Sequence, residues 1–174
     1  MQRWGLLENP APEAALRWID LFLEAFGTRV HSVEEARPHV IELRLESCVI
    51  PALDLERLRT REVLFFLDTV GQYVDAQGEL RGLALEHDLN EMAREFGISP
   101  EDVQYAVRMA LTGKHDGPPL ELLFPLLGHD RILIRIGAVN SRLLHGRGLE
   151  PIQFGPGGQP FEPIHGSRPK EDDV

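Results

Sequence analysis

Apolar residues in this chain recur three and four positions apart almost throughout, and runs in which apolar and polar residues alternate are nearly absent. A spacing of three and four places side chains on one face of an α-helix, whereas a half-buried strand requires a period of two. The pattern therefore predicts an all-α fold, a bundle or cage of about six to seven helices in two small lobes.

Helix start and stop signals divide this pattern into segments. The clearest start is Ser99-Pro100-Glu101-Asp102, a capping serine with a first-turn proline and early acids, and the apolar stripe after it ends at Gly113. Ser32-Val33-Glu34-Glu35 matches a capping box, but Pro38 predicts a kink or a later start for that helix. One long helix is predicted over residues 54–77. Further helices are predicted over 12–26, 84–96, 118–127 and 129–144.

The composition changes along the chain and predicts three parts. Residues 12–82 form an N-terminal helical subdomain, and residues 83–146 form a C-terminal one. From residue 147 onward Gly and Pro dominate, and the sequence finishes with Lys170-Glu171-Asp172-Asp173-Val174. Such a segment has too few apolar residues to order itself, so we expect a flexible tail over 147–174.

The formal net charge of -10 argues against a general nucleic-acid binder, because phosphate contacts require Lys and Arg. The charge is unevenly placed, however, and residues 99–147 are close to neutral. Most of the basic residues are arginines, so any contact with RNA would rest on arginine, whose planar guanidinium suits phosphates and stacked bases.

The location of the protein is suggested by what its sequence lacks. No window approaches the roughly 18 apolar residues that span a bilayer, and the N-terminus has no secretory signal pattern. The one cysteine, Cys48, has no partner for an internal disulfide and is expected to be a small buried hydrophobe. We therefore expect a cytoplasmic protein.

Four short motifs follow one another in a single register between residues 108 and 136. They are Arg108-Met109-Ala110-Leu111-Thr112-Gly113, Gly117-Pro118-Pro119-Leu120, Leu126-Leu127-Gly128, and Arg131 followed by Arg135-Ile136. Together they resemble the C-terminal signature of bacterial glutamyl-tRNA synthetases, which are class I aminoacyl-tRNA synthetases. Residues 28–67 are similar in spacing and helix order to the preceding helical subdomain of that family.

The resemblance implies an anticodon-binding domain that holds the anticodon loop of glutamate tRNA, while a separate catalytic domain activates glutamate with ATP. By this resemblance Arg108, Gly117, Pro118 and Leu120 contact anticodon bases. At the position that matches Gly117, the family often carries a hydroxyl residue. The sequence contains neither the His-hydrophobic-Gly-His motif nor the Lys-rich loop of the catalytic domain, so we expect no catalysis and no cofactor.

Two groups of arginines each allow two interpretations. Arg108 falls off the core stripe of its helix and either faces a ligand or pairs within the domain, for instance with Asp102 or Glu121. Three arginines flank the apolar stripe of the last helix: Arg131, Arg135 and Arg142. They form a basic ridge for RNA, or they pack their alkyl stems on the core and pair with acids.

The loop over residues 113–118 leads into a helix start, where free amides favour anions. It either holds a phosphate or is a simple turn, because the glycine spacing of a nucleotide-binding loop is absent. The histidines show no metal-ligand spacing. His115 and Asp116 could in principle meet His129 or His145 in the fold, but histidines of loops and helix ends are usually solvated, so no metal site is predicted.

The first hypothesis is therefore a tRNA-binding module without chemistry of its own. Two alternatives stay open: a protein-interaction domain that kept the fold and lost RNA binding, or a fragment that docks onto a separate synthetase catalytic subunit. The docking alternative would use an apolar patch around Trp4, Leu6 and Leu7.

Overall fold

The computed structural model describes residues 12–145, so the predicted tail over 147–174 and the patch around Trp4, Leu6 and Leu7 lie outside the described residues. The described chain is all-helical, which confirms the predicted fold class. No helix in this part is long and apolar enough to cross a membrane. Its eight helices are α1 Glu13–Phe26, α2 Val33–Arg44, α3 Ala52–Arg57, α4 Arg61–Ala76, α5 Leu85–Arg94, α6 Pro100–Thr112, α7 Leu120–Leu127 and α8 His129–His145.

Two helices begin where their capping serines predict. The Ser99 hydroxyl accepts a hydrogen bond from the Asp102 amide at 3.2 Å at the start of α6. The Ser32 hydroxyl accepts from the Glu35 amide at 3.1 Å, and α2 starts directly after it. Pro38 lies inside α2, so the expectation of a later start was wrong. The cap satisfies free amides of the first turn and fixes the start upstream of the proline.

The long helix predicted over 54–77 is wrong, because the structure divides it into α3 and α4. The Thr60 hydroxyl accepts from the Val63 amide at 3.2 Å and opens a new helix. A threonine hydroxyl competes with helix continuation by offering the backbone a cap. Within α4, Phe66 is buried, whereas Phe65 is 43% exposed.

One hydrophobic core contains residues from both predicted subdomains, 12–82 and 83–146. At the centre of this core, α4 packs against α8. In another part of the same core, α1 packs against α7. Gly71 of α4 lies under the side chains of Leu133 and Ile136 of α8, where a Cβ would be in ordinary van der Waals contact at 3.8 Å. The packing holds α8 firmly in place.

The end of α6 meets the segment that follows α2 at main-chain distance. Gly113 ends α6 with a φ of +67°, a conformation that favours glycine. A Cβ on Gly113 would lie only 2.0 Å from the carbonyl oxygen of Val49. Because that oxygen belongs to the backbone, it cannot move aside as a flexible side chain would. Glycine is therefore required at this position for two independent reasons.

We predict that Gly113→Ala lowers the free energy of unfolding more than Gly97→Ala does. Gly97 has nearly the same φ, +68°, but open space around its Cβ direction. Gly97→Ala therefore measures only the free-energy cost of holding an alanine in the left-handed backbone conformation, about 1–2 kcal/mol. The clash with Val49 should add at least about 1 kcal/mol, as overpacking does. Denaturant unfolding of the two variants measures the difference, and equal losses would contradict the close approach.

Both tyrosines of the chain bond to carboxylates between helices. The Tyr73 hydroxyl donates to Asp88 at 2.6 Å and joins α4 to α5. The Tyr105 hydroxyl donates to Asp54 at 2.7 Å and joins α6 to α3. Burial, followed by the hydrogen bond to the neighbouring carboxylate, raises the pKa of each phenol to about 12.

We therefore predict that tyrosinate absorbance in the folded protein appears near pH 12 and not near the ordinary value of about 10. A raised pKa means that the folded state holds the proton more tightly than the unfolded chain. This contribution to stability is complete below about pH 10 and is lost as the pH rises toward 12. Tyr73→Phe leaves Tyr105 as the reporter. A midpoint near 10, with helical circular dichroism intact, would contradict the prediction.

Candidate nucleic-acid interface

A cavity of about 420 Å³ opens where the ends of α2 and α6 approach each other. Residues 42–49 form one wall of the cavity, called here the α2 wall. Residues 112–118 form the facing wall, called here the α6 wall. Apolar and polar side chains share the lining. The residues that line it are Phe26, Arg29, His39, Glu42, Leu43, Leu45, Ser47, Cys48, Val49, Thr112, Gly113, Lys114, Asp116, Gly117, Pro118, Leu123 and Arg135.

The charge of this lining differs in sign from that of the whole chain. Three cations, Arg29, Lys114 and Arg135, line the cavity together with two acids, Glu42 and Asp116. Lys114 Nζ lies 2.6 Å from both carboxylate oxygens of Glu42, so this pair neutralises itself across the two walls. An excess of positive charge remains at the cavity, although the net charge of the chain is -10.

Arg108 lies beside the cavity, half-buried and off the core stripe of α6 as its helical position predicts. Its Nη1 donates to the carbonyl oxygen of Pro118 at 2.8 Å. Asp102, considered above as a partner for Arg108, is paired with Arg57 at 3.1 Å. Burial and then the positive charge of Arg29 lower the pKa of the Arg108 guanidinium, while nearby acids oppose the shift. Arg108 is thus held by a main-chain oxygen beside a second arginine.

Gly117 and Pro118 lie next to Arg108, so the structure brings together three of the residues matched to base contacts. A Cβ on Gly117 would lie 3.3 Å from Arg108 Nη1. Leu120 differs from them. Its side chain is only 1% exposed and packs in the core at the start of α7, which corrects its prediction as a contact residue. Leu120 supports the turn from within.

Of the three arginines of the predicted ridge on α8, Arg135 faces the interior and not a ligand. Arg135 is only 2% exposed, and its guanidinium donates to the carbonyl oxygens of Leu111, Glu42 and Leu45. Arg131 is half-buried and its Nε donates to the Arg44 carbonyl at 3.2 Å. Periodicity placed these side chains on one face, but that face meets helix ends, whose free carbonyls attract cations.

Arg142 lies further along α8 and is half-buried. Its positive charge, together with that of Arg135, opposes the effect of burial, which raises the pKa of the Cys48 thiol. Cys48 is itself half-buried, with its Sγ 3.4 Å from the carbonyl oxygen of Ala110. Whether Arg142 or Arg131 contacts RNA stays a prediction.

The loop over 113–118 is ordered by turn contacts. The Thr112 hydroxyl donates to the Arg108 carbonyl at 2.8 Å and accepts from the Lys114 amide at 3.2 Å. His115 Nε2 lies 3.1 Å from the Asp54 carboxylate, which also accepts from Tyr105. These contacts favour simple turn chemistry over a nucleotide-binding loop.

Arg29 is a candidate contact residue that sequence reasoning missed. It is exposed, lines the cavity and lies close enough to Arg108 to lower its pKa. Among residues 12–145, no acid forms an ion pair with its guanidinium. In the sequence it is a loop arginine after α1 without a motif. Only the folded chain places it beside α6.

Comparison with known proteins agrees with this architecture. The family model described as the anticodon binding domain matches residues 6–139. A glutamate–tRNA ligase of Chloroflexus aurantiacus is 25% identical over 150 residues, which cover 82% of this chain and 29% of that protein. A glutamate–tRNA ligase of a Nocardioides species is 26% identical over 135 residues, 76% of this chain and 28% of that protein.

The chain thus spans under a third of the length of either curated relative. No solved structure matches it. The family model covers well over half of the chain, including the cavity walls and most of α8. This chain therefore belongs to the anticodon-binding domain family.

Proposed function

We propose that this chain binds the anticodon loop of a tRNA, with glutamate tRNA as the expected ligand, and that these residues recognise RNA without chemistry of their own. Membership of the anticodon-binding domain family supports RNA recognition. The names of both relatives, glutamate–tRNA ligase, support glutamate tRNA as the first ligand to test. In this function the cavity beside Arg108 is the recognition site.

One observation carries the proposal: Arg29 lines the cavity, and its positive charge acts on Arg108 beside the cavity, together with the negative charges of Glu121 and Asp116. Two neighbouring guanidinium groups repel each other, and a bound anion relieves that repulsion. Each guanidinium presents planar donors that suit a phosphate, and it can also stack on a base. The pair therefore favours a ligand that offers phosphates and bases together, as a single-stranded RNA loop does.

The cavity also suits an unstacked base in size and lining. Its volume of about 420 Å³ is in the range of small-molecule sites. The ring of the half-buried His39 lines the cavity and packs against the buried ring of Phe26, with centroids 4.9 Å apart, so His39 is the ring of this pair that a base can reach. Bases of single-stranded loops are commonly recognised by stacking on such rings and by hydrogen bonds to their edges. Asp116 adds an acceptor for a base amino group, whereas Glu42 is paired with Lys114.

The overall acidity limits how this binding can work. A chain with a net charge of -10 repels a polyanion at long range, so attraction depends on the few arginines at the site. Few phosphate contacts give a shallow dependence of affinity on salt. The same repulsion suppresses non-specific binding to other RNA. Selectivity is therefore expected to rest on the loop and not on the stem.

We predict that the chain binds a hairpin carrying the anticodon arm of glutamate tRNA, and that Arg29→Ala and Arg108→Ala each weaken this binding by at least tenfold. A lost charge-assisted hydrogen bond is worth about 1.5–3 kcal/mol, and each 1.4 kcal/mol is about tenfold. Fluorescence anisotropy at two salt concentrations measures the dissociation constants. Thermal unfolding checks that each variant is folded.

Arg94→Ala is the matched control, because Arg94 is exposed on α5, pairs with Glu91 and does not line the cavity. It should bind as the unsubstituted protein does. A second hairpin with the same stem and an unrelated loop tests selectivity. Absence of binding even at low salt, or equal binding of both hairpins, would contradict the proposal and favour a protein-interaction domain.

A further inference from the structure

We infer that Arg135 is a positioning residue for the RNA cavity: its buried guanidinium ties the α2 wall to the α6 wall and sets their spacing without touching RNA. The part of the inference that concerns RNA affinity rests on the proposed function. Its structural part stands on hydrogen bonds and burial alone.

Arg135 reaches both walls from a third helix. Its Nη2 donates to the carbonyl oxygens of Glu42 at 2.6 Å and Leu45 at 2.5 Å, both in the α2 wall. Its Nη1 donates to the carbonyl oxygen of Leu111, the residue before the α6 wall. These oxygens lie at helix C-termini, where carbonyls have no partner within their own helix. One side chain thus satisfies free acceptors of two helix ends.

Burial indicates that this arginine does not serve as an RNA contact. The residue is 2% exposed, and its Nε is buried without a hydrogen-bond partner. A buried guanidinium is costly to desolvate, and the hydrogen bonds of Arg135 to main-chain carbonyls offset part of that cost. What an apolar residue cannot provide is the set of directed bonds to both walls. Geometry at the cavity is therefore the specific contribution of Arg135.

The other contacts that join the α2 wall to the α6 wall are weaker or less directional than the hydrogen bonds of Arg135. The Lys114–Glu42 ion pair is about half exposed on both sides, with side-chain exposures of 47% and 50%. Exposed ion pairs contribute little to stability. The approach of Gly113 to Val49 brings the walls together without a directed bond between side chains. Arg135 joins the end of α2 to the end of α6 through hydrogen bonds from a buried side chain, which fix orientation as well as distance.

Arg131 supplies a matched control one helical turn earlier. Its Nε donates to the Arg44 carbonyl at the end of α2, and its Nη1 donates to the carbonyl of Leu127. It therefore caps the same end of α2 but makes no hydrogen bond to the end of α6. Loss of Arg131 should loosen the α2 wall alone, whereas loss of Arg135 should loosen both walls.

The experiment compares Arg135→Lys, Arg135→Met and Arg131→Met with the unsubstituted chain. Hydrogen exchange should accelerate over both 42–49 and 112–118 in the Arg135 variants, and over 42–49 alone in Arg131→Met. Affinity for the glutamate anticodon hairpin should fall at least tenfold in the Arg135 variants. The slope of log affinity against log salt should stay unchanged, because no phosphate contact is lost. Arg29→Ala, by contrast, should lower that slope by about 0.7 per phosphate contact on a single strand.

Three results would overturn the inference. Unchanged exchange over 112–118 in Arg135→Lys would show that the tie does not hold the α6 wall. Unchanged hairpin affinity in a folded variant with accelerated exchange would show that wall spacing does not matter for RNA. A reduced salt slope would identify Arg135 as a direct phosphate contact. If Arg135→Met fails to fold, Arg135→Lys decides. If the unsubstituted chain binds no RNA, the proposed function fails, while exchange still decides whether Arg135 ties the walls.

Discussion

The contact between α8 and α4 is the interaction on which the rest of the structure depends. At this crossing Ile136 and Leu133 of α8 pack over Gly71 of α4. Once α8 is fixed there, Arg131 and Arg135 on its other side reach the ends of α2 and α6. Core packing therefore sets the position of two buried or half-buried cations, and those cations hold the helix ends that form the cavity. The site is built from the core outward.

The net charge of the whole chain is negative, whereas the charge of the cavity lining is positive. The net charge of -10 disfavours any polyanion at a distance, while the lining of the cavity carries more cations than acids. Not every cation there is available, since Arg135 is occupied by carbonyls and Lys114 by Glu42. In the proposed function, Arg29 and the remaining donors of Arg108 are the cationic groups that contact the ligand. In that function, binding through two arginines would give weak general affinity for RNA and make recognition depend on the loop that enters the cavity.

Sequence reasoning predicted local structure well where capping chemistry is explicit, as at Ser99 and Gly113 of α6. It failed between residues 54 and 77, because apolar periodicity continued across the Thr60 cap and masked a helix break. It placed Arg135 on the correct helix face but could not determine whether solvent or helix ends lay opposite that face. The sequence could not identify Arg29 as a candidate contact residue, because only the tertiary fold places Arg29 near Arg108 of α6. Periodicity describes one helix, whereas this site is made by the ends of several.

The two arginines at the cavity are held differently, and this difference suggests a division of roles within the proposed function. Arg108 Nη1 is already bonded to the Pro118 carbonyl at 2.8 Å, and the guanidinium is half-buried. A side chain fixed before binding loses little rotational freedom on binding, so its remaining donors can discriminate between bases. Arg29 is exposed on the loop after α1 and keeps its freedom, which suits it to attract a phosphate and costs ordering entropy when it binds. In the proposed function, Arg108 would therefore contribute mainly to specificity, and Arg29 mainly to attraction.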